Sequence, residues 1–171
     1  MTSSATDVAH DIDGAETEGV VDDAPAISDF LRDDRVVIDL DVSSRKRLFE
    51  QMAKLVSSAD DGPGLDTILR TLTDRERLGC TGIGNGIALP HGRIENLVEP
   101  VIAIARLKHA IDYDAPDGVP VWFAVCLMVP SEAHQTHLEL LAILATRFST
   151  PGFIDQLKQS RTAAELSAHF R

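Results

Sequence analysis

The sequence predicts an α/β fold in which helices pack on a sheet, and three observations predict it. Short apolar runs bounded by turn residues read as strands: "RVVIDLDV" (35–42), "VIAIARL" (101–107) and "VPVWFAVCLMV" (119–129). Segments whose apolar residues recur at helical spacing are interspersed with these runs, the order expected of a layered α/β domain. The chain's 171 residues, 44% of them hydrophobic, suffice for one domain to bury a core without disulfides or metals.

The elements follow in order. Residues 1–26 carry seven acidic side chains (Asp7, Asp11, Asp13, Glu16, Glu18, Asp22, Asp23) and no Lys or Arg, with no sustained apolar periodicity. This composition predicts a disordered, solubilising tail, so the folded domain is expected over 27–171. After the first strand, Ser43 or Ser44 can cap a helix by accepting a bond from an unpaired backbone N–H. In that helix Leu48, Phe49, Met52, Leu55 and Val56 form one stripe. "DDGPG" breaks the chain, and a second helix is expected from Leu65 to about Leu78 on Ile68, Leu69 and Leu72. The 119–129 run is almost continuously apolar, which predicts a central strand covered on both faces. A helix over 133–149 stops near Pro151, and two short helices, 151–158 and 162–170, close the chain.

Composition excludes several functions. Removing the tail's seven negative charges from the total of −11 leaves about −4 on the rest, with no basic patch to neutralise nucleic-acid phosphates. No run reaches the ~18 to 20 apolar residues that span a bilayer, and no secretory signal opens the chain. Cys80 and Cys126 show neither zinc nor redox spacing, a usage that fits a reducing compartment. A cytoplasmic protein without direct membrane insertion is expected.

The stretch "GCTGIGNGIALPHGRIEN" (79–96) stands apart. It is not a dinucleotide fingerprint, because Ile87 stands where the third glycine would be after Gly82 and Gly84. It is not a triphosphate loop either, because no Gly-Lys-Ser/Thr ends it. Glycine lets backbone approach a ligand closely, and successive N–H groups can form a concave nest for anionic oxygens. Pro90 fixes its own backbone angle and Gly92 leaves space, so His91 reads as a presented side chain. His134 and His137, three apart on the 133–149 helix, share a face. His137 lies on the stripe of Leu141, Leu144 and Phe148, pointing inward or towards a rim. A metal held by His91, His134 and His137 is disfavoured, because no Cys accompanies them and no carboxylate stands at ligand spacing.

"RERLGCTGIGNGIALPHGRI" (75–94) resembles the phosphorylation-site signature of IIA domains of the bacterial phosphoenolpyruvate-dependent phosphotransferase system, fructose/mannitol type. It is especially similar to the nitrogen-related branch, with Cys80 in place of the usual serine. "VIDLDVSSRKRLFEQMA", "YDAPDGVPVWFAVCLMVP" and "THLELLAILATRF" extend the likeness over about 27–171. The resemblance implies a compact single α/β domain with a mixed sheet flanked by helices on both faces. It implies that His91 accepts a phosphoryl group on Nε2 from an HPr-like phosphohistidine carrier, and that His137 supports that group. It places Arg75 near the site, and Thr81, Gly82, Gly84 and Asn85 in a phosphate pocket. Neither cofactor nor metal is implied, since donor and product are phosphohistidines of similar transfer potential. A serine hydroxyl could bond a phosphate oxygen where the Cys80 thiol donates weakly, so slower transfer is expected unless Thr81 compensates.

The leading reading is a regulatory phosphocarrier whose phosphorylation state controls target proteins, of which the family implies potassium transporters or sensor kinases. No IIB-like or membrane segment stands within these residues, which favours regulation over uptake as an expectation. One alternative is a fructose-type IIA that passes phosphate to a separate IIB. A second is an interaction module that never carries phosphate; the presence of both His91 and His137 argues against it.

Overall fold

The computed structural model describes residues 24–57 and 62–171, so the expected acidic tail, apart from residues 24–26, lies outside the described residues. A 3-10 turn, Ile27–Asp29, leads into β1 (Leu31–Leu40), α1 (Arg45–Val56), α2 (Leu65–Leu78), β2 (Gly82–Gly84), β3 (Ile87–Ala88) and β4 (His91–Ile94). Then come β5 (Val101–Ile111), β6 (Val121–Pro130), α3 (His134–Ser149), α4 (Phe153–Gln159) and α5 (Ala163–Ala168). The strands form one six-stranded sheet in the order β1-β5-β6-β3-β2, with β4 also paired to β6. It is mixed: β1 runs parallel to β5, β5 antiparallel to β6, and β3 and β4 both parallel to β6.

Period-2 alternation sends β6 side chains into two cores. Phe123, Val125, Leu127 and Val129 pack with Leu140, Leu144 and Phe148 of α3, Leu157 of α4 and Leu166 of α5. Ala124, Cys126 and Met128 meet Leu48, Met52 and Val56 of α1 and Ile68 and Leu72 of α2. Helices thus cover both faces, and the apolar 119–129 run is the central strand it was expected to be. Ser44 is the residue that caps α1, its side chain accepting from the N–H of Arg47. β1 starts four residues earlier than the 35–42 run suggests, because Leu31 already pairs with Ile102. β5 runs on to Ile111, which pairs with Val121.

The largest departure lies in the glycine-rich stretch, which is not a loop. Asn85 (φ 58°) and Gly86 (φ 78°) both take left-handed backbone, and Gly84 pairs with Ile87 across them. This is the geometry of a two-residue primed hairpin turn, for which Asn-Gly is the favoured pair. Gly86 is also obligatory on packing grounds, since a Cβ there would sit 2.2 Å from the Trp122 ring. Beyond the hairpin, β3 and β4 lie in line along one edge of β6. Pro90 separates them: it has no N–H to give to the ladder, although its carbonyl accepts from Leu127 N–H at 3.0 Å.

His91 is therefore the first residue of a strand, directly opposite Leu127. Alternation sends Gly92 and Ile94 to the α1–α2 face and leaves His91 and Arg93 on the α3 face. Gly92 faces α2 so closely that a Cβ would lie 2.4 Å from Thr71 Cγ2. Thr71 cannot easily move away, because its hydroxyl donates to the Thr67 carbonyl at 2.8 Å. Gly92→Ala is therefore expected to cost about 1–3 kcal/mol through overpacking. Urea unfolding checks this; an unchanged midpoint would mean that α2 shifts freely on β4.

Candidate functional site

The site is built on the break between β3 and β4. Nδ1 of His91 lies 2.7 Å from the carbonyl oxygen of Leu89. A carbonyl only accepts, so the chemistry assigns the proton to Nδ1 and leaves the lone pair of the neutral ring on Nε2. Burial lowers the His91 pKa below its ordinary 6.5; the Leu89 bond opposes that shift, Arg75 adds to it and Glu76 opposes it. His91 is accordingly neutral at pH 7.

His137, in the first turn of α3, presents its ring edge-on to His91, with centroids 5.2 Å apart and planes at 62°. It stands half-buried at the rim of the core, with the fully buried stripe running through Leu140 rather than Leu141. Its Nε2 is buried and has no hydrogen-bonding partner. Burial pushes its pKa down to about 4, and the neighbouring His91, Arg93, Arg75 and His134 push it the same way. Two neutral imidazoles thus face each other beside cationic groups.

Arg75, in the last turn of α2, donates through Nη1 to the Gly79 carbonyl at 2.8 Å, and its charge acts on both histidines. Arg93 was not singled out from the sequence. Two residues beyond His91 on one strand, it shares the histidine's face, and its Nη1 bonds Nδ1 of His134. Recognising 91–94 as a strand would have found it. That guanidinium occupies one of the two ring nitrogens of His134. Among the described residues no group of three or more His, Cys, Asp and Glu could hold a metal ion.

The bonding of the hairpin argues against the expected glycine-lined anion nest. Thr81 N–H donates to Glu76 Oε1, Gly82 N–H to Cys80 Sγ, and Asn85 N–H to Asp117 Oδ2. Those donors are spent within the fold. The Thr81 hydroxyl is spent as well, donating to Glu76 Oε2 at 2.5 Å. Gly84 and Asn85 belong to the hairpin tip, beside Asp117 and Trp122. Trp122 precedes Leu127, the partner of His91, by five positions on β6, roughly 16 Å at about 3.3 Å per residue. The structure brings His91, His137, Arg75 and Arg93 together and leaves Gly84 and Asn85 elsewhere. The Cys80 thiol donates to the Tyr113 carbonyl at 3.6 Å and accepts from Gly82 N–H at 3.3 Å.

The family described as "Phosphoenolpyruvate-dependent sugar phosphotransferase system, EIIA 2" matches residues 29–171. The chain belongs to that family. This EIIA 2 domain is 37% identical over 140 residues to a nitrogen regulatory protein of Pseudomonas aeruginosa, covering 82% of this chain and 91% of the relative. It is 33% identical over 124 residues to the Escherichia coli nitrogen regulatory protein, covering 72% and 76%. The crystal structure of IIA-Ntr from Neisseria meningitidis superposes with a TM-score of 0.78 at 35% identity, over 85% of this chain and 99% of that one. Mannitol IIA of Escherichia coli shares the fold at 12% identity, with a TM-score of 0.69 over 82% and 99% of the chains.

The depressed His137 pKa carries a stability consequence for this IIA domain. Between about pH 4 and 6.5 the unfolded chain binds a proton at His137 that the folded chain refuses. Stability linked to this group is therefore fully present above pH 6.5 and is lost as pH falls towards 4. Melting temperatures measured across that window should fall less steeply for His137→Gln than for the parent. Parallel slopes would contradict a strongly depressed His137.

Proposed function

We propose that this IIA domain is a phosphocarrier of the nitrogen-related phosphotransferase system, taking a phosphoryl group transiently on His91 Nε2 from an HPr-like phosphohistidine carrier. The observation that carries the reading is the Leu89 carbonyl on Nδ1, which leaves Nε2 as the nucleophile. In the transfer, the P–N bond to the carrier breaks and its electron pair returns to the carrier's imidazole, while the Nε2–P bond forms. The His91 ring gains positive charge as that bond forms, and the Leu89 carbonyl offsets it through the hydrogen bond it accepts from Nδ1–H, the proton staying on Nδ1. Phosphoryl transfer depends on positioning and on charge stabilisation at the equatorial oxygens. The unpartnered Nε2 of His137 and the cations Arg75 and Arg93 supply groups for that task.

The output we infer is regulatory. A phosphoryl group adds about −1.5 to −2 charges to this surface, enough to repel or recruit a target protein. The relatives support regulation over uptake: likeness to the Pseudomonas aeruginosa nitrogen regulatory protein spans 82% of the chain at 37% identity. The fructose-specific EIIABC component of Bacillus subtilis matches 70% of it at 28%. A cytoplasmic location accompanies the reading, because such carriers are charged from phosphoenolpyruvate. No helix among the described residues is long and apolar enough to cross a membrane.

Intact-mass measurement after incubation with phosphoenolpyruvate, the first enzyme of the system and an HPr-like carrier tests the proposal. The parent should gain one acid-labile phosphoryl group, and His91→Ala none. His137→Ala should react about 10²–10³-fold more slowly, the usual loss for one charge-stabilising donor. No gain with either a sugar-type or a nitrogen-type carrier would refute the reading, and onward transfer to a cognate IIB would favour the fructose-type alternative.

Cys80→Ser, in the same assay, should react within about twofold of the parent, because the thiol faces Tyr113 and Gly82 rather than the transferred oxygens. A large acceleration would restore the expectation that a hydroxyl is needed there.

A further inference from the structure

Next to the histidine pair lies a polar network that the transfer chemistry does not touch. Glu76, in the last turn of α2, has a side chain only 6% exposed. Its Oε1 accepts from Thr81 N–H at 3.1 Å and from Arg45 Nη1 at 3.4 Å, and its Oε2 accepts from the Thr81 hydroxyl at 2.5 Å. With the Thr81 proton committed to Glu76, the Tyr113 hydroxyl, 2.8 Å away, must be the donor to Thr81 Oγ1. The network therefore has one direction, from Tyr113 to Thr81 to Glu76. Arg45 closes it from α1, donating to the Tyr113 carbonyl at 3.0 Å and lying over the Tyr113 ring.

What this network holds is the backbone under His91. Glu76 grips Thr81 by both its N–H and its hydroxyl, which fixes the orientation of that residue. The carbonyl of Thr81 accepts the N–H of Leu89 at 2.9 Å. The carbonyl of Leu89 accepts a hydrogen bond from Nδ1–H of His91 at 2.7 Å. Leu89 has no ladder bond to β6 on its N–H side, so Thr81 is its anchor there. Pro90, with no N–H, is tied to β6 only through its carbonyl, which accepts from Leu127 N–H at 3.0 Å. A buried carboxylate–guanidinium cluster is a weak source of stability compared with apolar packing. Its place here, one residue from the anchor of the acceptor histidine, gives it another use.

We propose that Glu76 is a positioning residue for phosphoryl transfer, acting through Thr81 and Leu89 to keep the His91 proton on Nδ1 and the lone pair on Nε2. The inference rests on His91 being the phosphoryl acceptor, yet the His91 tautomer can be read without any transfer.

The test uses the full chain, 15N-labelled, at about pH 7.5, where His91 is neutral. Long-range 1H–15N correlations report which imidazole nitrogen carries the proton, and transfer from an HPr-like phosphohistidine carrier gives kcat and KM. The parent and Thr81→Ser, which keeps the hydroxyl, should both show a single Nδ1–H tautomer and similar rates. Thr81→Val and Glu76→Gln should show mixed tautomers at His91. Their kcat should fall about 10- to 100-fold, the scale of a misplaced reacting group, with KM within about threefold. A Thr81→Val protein that melts lower yet keeps one tautomer and the parent's kcat would overturn the proposal and leave the network merely structural. Should Thr81→Val fail to fold, Glu76→Gln, which keeps shape and an acceptor oxygen, decides by the same readouts. If the parent accepts no phosphoryl group, the phosphocarrier reading falls, while the tautomer comparison still decides what Glu76 does.

Discussion

The carbonyl of Leu89 faces Nδ1 of His91 at 2.7 Å because the chain between them is held from several sides. Leu89 is bonded to Thr81, the Pro90 carbonyl is bonded to Leu127, and His91 starts a strand in register with β6. None of these bonds is strong alone; a typical one contributes about 1 kcal/mol net. Together they leave the imidazole little freedom to turn over, and a ring that could turn over would present either nitrogen. The sheet, the proline and the hairpin thus converge on a choice between two atoms of one ring.

Around that ring the electrostatics favour neutral imidazoles. Burial and nearby cations hold His91 and His137 below the usual histidine range. The same cations that disfavour an imidazolium would favour a phosphoryl group. His137 carries a buried nitrogen with no partner, a cost that most folds avoid. Such a cost persists where a transient ligand satisfies it. A dianion at His91 would reverse the sign of the field at His137 and raise its pKa, coupling the two histidines through charge.

Much of this was legible in the sequence, and what was not has physical reasons. Helical spacing located α1 and α2, a serine before Arg45 supplied the cap, and continuous apolarity marked β6 as central. Pro-His-Gly announced His91. The glycines misled, because a positive-φ residue serves a hairpin turn as readily as a ligand nest, and Asn-Gly at 85–86 was the signal for the turn. Gly92 looked like room beside the histidine, whereas it makes room for Thr71 on the opposite face. Arg93 was hidden until 91–94 became a strand. Tyr113 meets Thr81 across 32 positions of chain, and no local pattern reports such a meeting.

The central claim is that the fold selects Nε2 of His91. The most direct measurement is 15N and 31P NMR of the phosphorylated, 15N-histidine-labelled chain, reading which ring nitrogen is coupled to phosphorus. The account predicts phosphorus on Nε2 with the proton retained on Nδ1. Phosphorus on Nδ1, or on His137, would contradict it.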